Sequence, residues 1–563
     1  MKAWLYIRDE SLAIPLALLI LLTMLLVSPV GDFPLNDDWI FAQSVQAILE
    51  TGSYDGHPYA DPLFMMHAMW GAVISKLFGF SFTVLRLFTL VSLFIASWSA
   101  ALSARLLGAN RGVQLLLGVV VTANPIVLNL SYTFMTDIPF LALAHASLYW
   151  FLRAHRSEAT FPLFIACWFA AFAYLIRQFG ILLPIAYIVS IGLSSYRCGI
   201  QIRISRVIAF LVPWVFVGSL VVALPESARG LSPTFDLNVL GYGWLSRGVT
   251  LLRYFFFILC YVGVFILPVL FALPRETTLV QAIRERVTRK RWIVSVLLAI
   301  WLLYGMPGYQ LPLIGNILYD LGVGPLTLRG ILVDDHLANP ISIGNLWWVL
   351  LAPGLLVAIF LLVTLNIQIV LGAFVSDAPQ CKNERDPRPF LTLLCCAYIT
   401  VLIFPGMSVL YDRYFIMPLL PMALLVLCVT KNPQATRLAW ATVAALYCFS
   451  VVGIQDYMAW NRARWDAWTV LEEQYDATPE TTDGGYEFLG WYTSAQFVTE
   501  TTTPQTRSYG PRGGWLVDDQ YAISFLRRDN FTILEHVPYF SWLGFEERSI
   551  LILERNSKEN SPE

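Results

Sequence analysis

The sequence predicts a polytopic α-helical membrane protein with a small C-terminal α/β domain outside the bilayer, and three observations support this fold class. Of the 563 residues, 57% are hydrophobic and only 13% are charged, whereas soluble domains usually carry about 25% charged residues. Mean hydropathy is +0.62. Apolar runs long enough to cross a bilayer recur through the first 455 residues. This composition excludes a soluble enzyme, a disordered protein and a secreted disulfide scaffold.

About thirteen apolar runs approach or exceed the roughly 20 residues that a membrane-spanning helix needs. They lie near 11–30, 82–104, 113–132, 138–152, 161–176, 179–195, 207–224, 251–273, 292–310, 346–375, 390–407, 414–430 and 437–455. The first run ends without a small-residue cleavage site, so we expect an uncleaved anchor.

Basic residues predict the orientation of these spans. With the N-terminus in the cytoplasm, 20 of the Lys and Arg residues before position 456 fall on the cytoplasmic side and eight fall elsewhere. This asymmetry follows the positive-inside rule. An odd number of spans then places the C-terminal domain on the extracytoplasmic side.

Charge also marks the domain boundary. About a quarter of residues 456–563 are charged, against about 11% of residues 1–455. We therefore predict a membrane domain over 1–455 and an extracytoplasmic domain over 456–563, with strands near 531–534 and 549–553. The net charge of −2 gives no electrostatic reason to expect nucleic-acid binding.

The first outer loop, after the first span, is too long for a simple connector. Apolar residues recur at helical spacing after Asn36, a good N-cap, and Gly52 supplies a stop. This pattern predicts an amphipathic helix lying in the membrane interface. Asp61 and Pro62 predict the start of a second interfacial helix, as cap and first helical residue.

Three acidic residues are candidates for chemistry. Asp37 and Asp38 begin the first interfacial helix, and Asp137 falls at the outer turn between the third and fourth spans. Acids at a helix start are often there only because the helix dipole favours them. Unpaired carboxylates are costly at a membrane boundary, however. Three of them on one face predict base chemistry, metal binding, or both.

The complementary charges are Arg177 and Arg413, which lie at outer helix ends in otherwise apolar stretches. Each either extends to a lipid phosphate or holds a substrate phosphate through its planar guanidinium. Tyr414 and His57 complete the predicted donor-phosphate set, and His67 is a further polar residue nearby.

Two other charged segments carry weaker signals. The sequence Asp334-Asp335-His336 has the composition of a metal site without a ligand spacing pattern. The basic run 284–291 is explained most simply as a topology and lipid-headgroup determinant.

Several motifs together resemble the GT-C glycosyltransferases, most closely the bacterial relatives of protein O-mannosyltransferases and of the aminoarabinose transferase that modifies lipid A. The Asp37-Asp38 pair after the first span is similar to the acidic motif of that superfamily. The other matching segments are Pro62-Leu63, Met135-Thr-Asp-Ile-Pro139, Arg413-Tyr-Phe-Ile-Met-Pro-Leu-Leu-Pro421 and, in the tail, Asp483-Gly-Gly-Tyr-Glu-Phe-Leu-Gly-Trp-Tyr492. The match in order and loop placement covers most of residues 1–430.

The resemblance implies a glycosyltransferase of the bacterial inner membrane and cell envelope. Such an enzyme moves a hexosyl or pentosyl group from a polyprenyl-phosphate donor to an acceptor hydroxyl, with inversion, on the extracytoplasmic face. Asp37 matches the catalytic acid, Asp38 the second motif position and Asp137 the acid of the second outer turn. Family members differ in using a divalent metal, for which Asp37 and Asp137 are candidate ligands. The implied partners are the lipid-linked sugar, membrane lipids and an acceptor that is a lipid, a polysaccharide or a protein.

One position departs from the pattern. Relatives of the lipid A branch carry a basic residue before the proline of the first loop, where this chain has Asp61. A phosphate-binding role at that position then has to pass to Arg177 or Arg413.

The alternative function is a transporter, such as a flippase for a lipid-linked sugar. Transporters place ionisable groups and broken helices near the midplane and show internal repeats. Here the charges concentrate at the ends of the spans, which favours the transferase.

Overall fold

The structure is a computed structural model that describes residues 2–60, 63–198, 203–224, 244–272, 315–319, 322–328, 386–403, 410–430, 432–498 and 514–556. The helices of its N-terminal half are α1 (Lys2–Leu26), α2 (Asp38–Thr51), α3 (Met65–Phe78), α4 (Phe82–Leu106), α5 (Arg111–Ala123), α6 (Pro125–Ser131), α7 (Asp137–Ser157), α8 (Thr160–Tyr174), α9 (Leu182–Cys198), α10 (Ile204–Ala223), α11 (Trp244–Phe265) and α12 (Leu267–Leu270).

The C-terminal half adds four helices and a sheet. The helices are α13 (Arg388–Ile403), α14 (Leu419–Val429), α15 (Arg437–Tyr475) and α16 (Tyr486–Tyr492). Strands β1 (Leu318–Tyr319) and β2 (Gly322–Val323) form a short antiparallel ribbon. Strands β3 (Thr482–Asp483), β4 (Tyr521–Ser524), β5 (Phe531–Ser541) and β6 (Glu546–Arg555) form one sheet in the order β3-β4-β6-β5. The small C-terminal sheet domain predicted from the sequence is therefore present.

Five helices within the described ranges are long and apolar enough to cross a membrane, and six if a bent pair counts as one span. The predicted count of thirteen is not confirmed. Most of the predicted spans coincide with helices, although three of the helices are short apolar ones. The predicted spans at 292–310 and 346–375 lie outside the described residues.

The bent pair is α5 and α6, which meet at 64°. The side chain of Asn124 caps the second helix by accepting hydrogen bonds from the backbone N–H groups of Ile126 and Val127, and Pro125 occupies its first position. A continuous helix here would lose this capping. It would also lose one backbone hydrogen bond, because Pro125 has no N–H group to donate. The bend directs the chain toward the turn that carries Asp137.

Two details of the first outer loop differ from the prediction. The N-cap of α2 is Asp37 rather than Asn36, because Asn36 takes the left-handed conformation with φ 57°. The second helix begins at Met65 rather than at Pro62, with Phe64 at its N-cap, and residues 61–62 lie outside the described residues. Both predictions of a helix start were therefore wrong by one or more residues.

Helix α3 buries most of its small residues and exposes four large apolar residues. Ala68, Ala72 and Ser75 are buried, while Met69, Trp70, Val73 and Leu77 are exposed by 46–70%. Gly71 lies against α2, where a Cβ atom would be 2.6 Å from the side chain of Val45. Small residues let two helices approach closely, and this contact holds the two helices of the first outer loop together.

A single helix connects the membrane part to the C-terminal sheet. The 39 residues of α15 include the predicted span 437–455 and the predicted helical piece 460–475, so the boundary proposed at 456 falls inside a continuous helix. One side of α15 packs on α5 and α6, and its later part packs on β5 and β6.

Candidate active site

The loop before α2 fixes the position of Asp37. Arg86 of α4 is fully buried and donates hydrogen bonds to the carbonyl groups of Gly31 and Phe33. Asn36, in the left-handed conformation that non-glycine residues rarely adopt, turns the chain into the helix. The carboxylate of Asp37 is thereby presented at the N-terminus of α2.

Asp37 is the accessible member of the three predicted acids. Its side chain is 26% exposed, against 2% for Asp137, and Asp38 is fully buried. Oδ2 of Asp37 lies 3.2 Å from Nη1 of Arg413, and Oδ1 accepts a hydrogen bond of 2.7 Å from the hydroxyl group of Tyr486. A substrate can therefore reach Asp37 more readily than the other two acids.

Asp38 joins two loops inside the protein. Its Oδ1 accepts a hydrogen bond from the backbone N–H of Leu35 at 2.7 Å, and its Oδ2 accepts one from Phe134 at 3.2 Å. Burial raises the pKa of Asp38 to about 8, although the nearby Arg86 acts in the opposite direction. At neutral pH the carboxyl group is therefore mainly protonated, and it links the first outer loop to the turn before Asp137.

Asp137 forms a buried ion pair at the start of α7. Its Oδ2 lies 2.8 Å from Nη2 of Arg177, and the side chains are 2% and 9% exposed. Nε of Arg177 donates a second bond, of 2.9 Å, to the hydroxyl group of Thr136. Arg177 stands immediately before the 3₁₀ helix Gln178–Ile181 that follows α8.

The ring of Tyr414 brings the two predicted arginines together. The guanidinium carbons of Arg177 and Arg413 each lie 5.6 Å from its centroid, within the range of a cation–π contact. The ring centroid of Tyr411 lies 4.9 Å from the guanidinium carbon of Arg413. The structure therefore places Asp37, Asp137 and both arginines in one cluster.

Asp412 anchors the segment that carries Arg413. It is fully buried and accepts hydrogen bonds from the backbone N–H groups of Ile317 at 3.0 Å and Leu318 at 2.7 Å. The 3₁₀ helix Asp412–Ile416 is thus tied to the β1–β2 ribbon. This anchoring sets where the guanidinium of Arg413 can point.

The C-terminal domain reaches the same cluster through α16. Glu487 and Arg464 form an ion pair of 2.7 Å whose side chains are 0% and 1% exposed. Glu487 also accepts hydrogen bonds from the backbone N–H of Asn36 at 2.8 Å and from the hydroxyl group of Thr327 at 2.7 Å. Burial raises the pKa of Tyr486 well above its usual range, so its hydroxyl group stays protonated and donates to Asp37.

His57 takes part in hydrogen bonds within the first outer loop. Its Nε2 lies 2.9 Å from Oε1 of Gln43, and its Nδ1 accepts from the backbone N–H of Tyr59 at 3.2 Å. Burial lowers the pKa of His57 to about 3, so the ring is neutral at physiological pH. His67 is fully buried, and its ring stacks on Phe134 at 4.0 Å. Neither ring brings a positive charge to the cluster.

Asp37 and Asp137 do not suit a metal ion in this arrangement. Within the described part of the chain, no group of three or more His, Cys, Asp and Glu side chains could hold one. Each of the two carboxylates is paired with an arginine instead. Asp61 and the segment 334–336 lie outside the described residues.

Three functional candidates escaped prediction, namely Arg464, Tyr486 and Glu487. The segment that contains Tyr486 resembles part of the family's outer domain, and that resemblance assigns no role to any residue in it. The available signal was the Gly484-Gly485 pair, which allows a tight approach: at Gly485, with φ +86°, a Cβ atom would lie 2.8 Å from the carbonyl oxygen of Thr327.

Comparison with known proteins supports the resemblance seen in the motifs. Residues 57–224 match the family model described as dolichyl-phosphate-mannose-protein mannosyltransferase. This segment contains Asp137 and Arg177, but not Asp37 or Arg413. The predicted resemblance to GT-C membrane glycosyltransferases is confirmed by this match. No curated protein matches the sequence.

Among the solved structures that match this chain are those of ArnT and AglB. ArnT from Cupriavidus metallidurans bound to undecaprenyl phosphate is 12% identical, with a TM-score of 0.39, and the match covers 98% of this chain and 99% of that one. Its apo form gives 12% identity, a TM-score of 0.36 and 98% coverage of both chains. The archaeal oligosaccharyltransferase AglB from Archaeoglobus fulgidus, in complex with an inhibitory peptide and a dolichol-phosphate, is 11% identical. Its TM-score is 0.46, with 92% of this chain and 69% of that chain covered.

Proposed function

We propose that this chain is an inverting glycosyltransferase that moves a sugar from a polyprenyl-phosphate donor to an acceptor hydroxyl group. The observation that carries the proposal is the partly exposed carboxylate of Asp37, held against Arg413, with Arg177 on the same tyrosine ring. The dolichyl-phosphate-mannose family match over 57–224 supports a donor of this chemical class.

The reaction needs a base for the acceptor and positive charge for the leaving group. In the proposed step the acceptor hydroxyl gives its proton to Asp37 while its oxygen bonds to the anomeric carbon. The bond between that carbon and the phosphate oxygen breaks, and the electron pair leaves with the polyprenyl phosphate. Arg413 and Arg177 stabilise the charge on the departing phosphate. Attack and departure on opposite faces of the sugar invert its configuration.

The ion pair between Asp37 and Arg413 describes the site before the donor binds. A phosphate group offers Arg413 two oxygens in the geometry that a guanidinium matches best. The donor phosphate then replaces Asp37 as the partner of Arg413, which frees Oδ2 of Asp37 to accept a proton. Donor binding would thereby activate the base.

The remaining site residues take supporting roles in this proposal. Asp137 holds Arg177 through their ion pair, and Asp38 holds the two loops together. Tyr414 positions both guanidinium groups. His57, being neutral, can contribute only a hydrogen bond to the donor. The sugar, hexosyl or pentosyl, and the acceptor are left open.

The test is Asp37→Asn, with release of free polyprenyl phosphate from polyprenyl-phosphate hexoses and pentoses as the readout. Asn keeps the size of the side chain but cannot act as a base, so we expect turnover to fall at least about 100-fold. Asp55→Asn is the matched control, since Asp55 is an exposed acid of the same loop. Normal expression of Asp37→Asn with undiminished transfer would refute the base assignment.

The same assay separates the transferase from the transporter. A transferase releases polyprenyl phosphate from the donor in detergent, whereas a flippase needs a sealed bilayer and leaves the lipid-linked sugar intact. Turnover that is absent in detergent, with transport across proteoliposomes, would favour the alternative.

We propose the bacterial inner membrane as the location, with the N-terminus in the cytoplasm and the site on the extracytoplasmic face. The basic residues of the loops support this orientation. Accessibility of a cysteine introduced at Thr532, an exposed position of β5, checks it in whole cells. We expect a membrane-impermeant maleimide to label this cysteine. Protection from labelling until the cells are lysed would show that the topology is the reverse of the one proposed.

A further inference from the structure

The hydrogen bond between Tyr486 and Asp37 makes the C-terminal domain part of the reactive centre. The two carboxylate oxygens of Asp37 are held by different parts of the chain: Oδ1 by Tyr486 at 2.7 Å and Oδ2 by Arg413 at 3.2 Å. Once a donor phosphate draws Arg413 away, Tyr486 is the remaining hydrogen-bond donor to the carboxylate among these contacts.

Tyr486 is itself held in place by buried contacts. Its backbone N–H donates to the carbonyl group of Thr327 at 3.1 Å. The next residue, Glu487, binds Arg464 and the backbone of Asn36, the residue immediately before Asp37. The C-terminal segment therefore contacts the catalytic loop both at the carboxylate and at the backbone beside it.

We propose that Tyr486 is a positioning residue that orients the carboxylate of Asp37 for proton transfer. This inference rests on the proposed function of Asp37 as the base. By occupying Oδ1, the tyrosine hydroxyl leaves Oδ2 as the oxygen that receives the acceptor's proton. Small errors in the placement of a catalytic group lower the reaction rate by large factors. A carboxylate held in one orientation therefore gives a higher rate than one that rotates freely.

The test is Tyr486→Phe, which removes only the hydroxyl oxygen. We expect kcat to fall by about 10- to 100-fold while KM for the donor changes less than about twofold. The acidic limb of the pH profile of kcat/KM should also move to higher pH, because losing the hydrogen bond from Tyr486 destabilises the ionised form of the carboxylate. A purely structural role would not move that limb.

Tyr492→Phe is the matched control. Tyr492 ends the same helix, and its ring packs on Phe488 at 4.9 Å and Trp468 at 6.0 Å. Full activity of Tyr486→Phe beside an inactive Asp37→Asn would overturn the positioning role and leave the proposed function standing. An active Asp37→Asn would overturn both.

A second observation concerns the tip of the β5–β6 hairpin, which exposes three aromatic residues. Phe540, Trp542 and Phe545 are 43%, 46% and 81% exposed. The ring of Phe540 lies 5.8 Å from that of Trp542 and 5.7 Å from that of Phe545, so the three form one cluster. A soluble domain rarely leaves a cluster of this kind open to water.

The tip lies at the level where the predicted span 437–455 ends. Asp456, one residue beyond that span, accepts hydrogen bonds from the hydroxyl group of Ser541 at 2.7 Å and from the backbone N–H of Leu543 at 3.2 Å. Both donors belong to the hairpin tip. The exposed aromatic residues are therefore level with the membrane boundary of α15.

We infer that this hairpin tip inserts into the headgroup region of the bilayer and anchors the C-terminal domain on the lipid surface. Aromatic residues, tryptophan above all, concentrate at the membrane–water interface. The anchor would keep α16, and with it Tyr486, at a constant height above the membrane. This inference needs only the span in α15, not the proposed reaction.

A spin label at Phe545→Cys tests the anchor in lipid nanodiscs of phosphatidylethanolamine and phosphatidylglycerol. Thr532→Cys, at the other end of β5 and about 30 Å away, is the matched control. Both are made in a chain whose exposed Cys396 and Cys448 are replaced by Ser. We expect collisions with oxygen to exceed collisions with a water-soluble nickel chelate at 545 and the reverse at 532.

Two results would overturn the anchor. Equal access of the nickel chelate to both positions would place the tip in water. Exclusion of both oxygen and nickel at 545 would show that protein, such as a second copy of the chain, covers the tip instead of lipid.

Discussion

Nη1 of Arg413 lies 3.2 Å from Oδ2 of Asp37, although 376 positions separate the two residues in the sequence. In the proposed site Asp37 serves the acceptor and Arg413 serves the donor phosphate. In the absence of substrate the charges of these two residues thus neutralise each other. This mutual pairing explains how an arginine and an aspartate can both persist in a largely apolar environment.

Replacing Arg413 by Lys tests the donor role of this arginine. Lysine keeps the charge but loses the planar fork that matches a phosphate, so we expect KM for the donor to rise about 10-fold. The measurement is the donor dependence of polyprenyl phosphate release. Arg388→Lys is the control, because Arg388 is 43% exposed and pairs with Asp386. Unchanged donor affinity in Arg413→Lys would remove the phosphate role.

The Asp137–Arg177 pair should behave as a unit. Arg177→Gln leaves a buried carboxylate without its partner, so we expect a loss of about 3–5 kcal/mol in the free energy of unfolding. Adding Asp137→Asn should restore part of that loss, with a coupling of about 1 kcal/mol or more in a double-mutant cycle. Unfolding in detergent, followed by circular dichroism, measures each variant. Strictly additive effects would contradict the pairing.

Asp38 predicts a pH dependence of stability. Its pKa in the folded protein, about 8, lies above the 3.8 of the unstructured side chain. Its contribution to folding is therefore full below about pH 4, declines as the pH rises and is lost above about pH 8. The melting temperature of Asp38→Asn, relative to the wild type, should increase between pH 5 and pH 8 and then level off. A difference that does not vary with pH would show that Asp38 is ionised when folded.

Gly490 tests how closely the C-terminal helix approaches the catalytic loop. A Cβ atom at this position would lie 2.7 Å from Cζ2 of Trp39, which is fully buried in α2. We expect Gly490→Ala to lower the free energy of unfolding by about 1–3 kcal/mol through overpacking. Gly192→Ala in α9 is the control, since a Cβ atom there meets nothing within 4 Å. Equal stability of the two variants would contradict the close contact.

Local patterns predicted much of the membrane part. Apolar runs predict the bounds of α4, α7 and α10 within a few residues, because the thickness of the bilayer sets the length of a spanning apolar segment. The acids and arginines of the site are predictable because a charge at the end of an apolar segment is unusual. Asp37, Asp137, Arg177 and Arg413 all carry that signal.

The contacts of the C-terminal domain carried no such signal. Nothing in the aromatic-rich segment of Tyr486 and Glu487 indicates their partners, and only the folded chain shows that they reach Asp37 and Asn36 across about 450 positions. The predicted boundary at 456 lies where the density of charged residues changes. Composition, however, reports the surroundings of a segment, whereas a helix such as α15 continues through a change of surroundings whenever its backbone hydrogen bonds allow it.

The length of α15 has a mechanical consequence. At 1.5 Å per residue its 39 residues form a rod of about 58 Å, and Arg464, the buried partner of Glu487, lies about 40 Å from its first turn. Without a hinge, a tilt of a few degrees at the base is transmitted as a displacement of a few ångströms at the far end. A span that is longer than the bilayer is thick can accommodate the mismatch by tilting. Lipid composition would then regulate turnover, because a change in the tilt of α15 would shift Arg464 and Glu487 and, through them, the loop that carries Asp37.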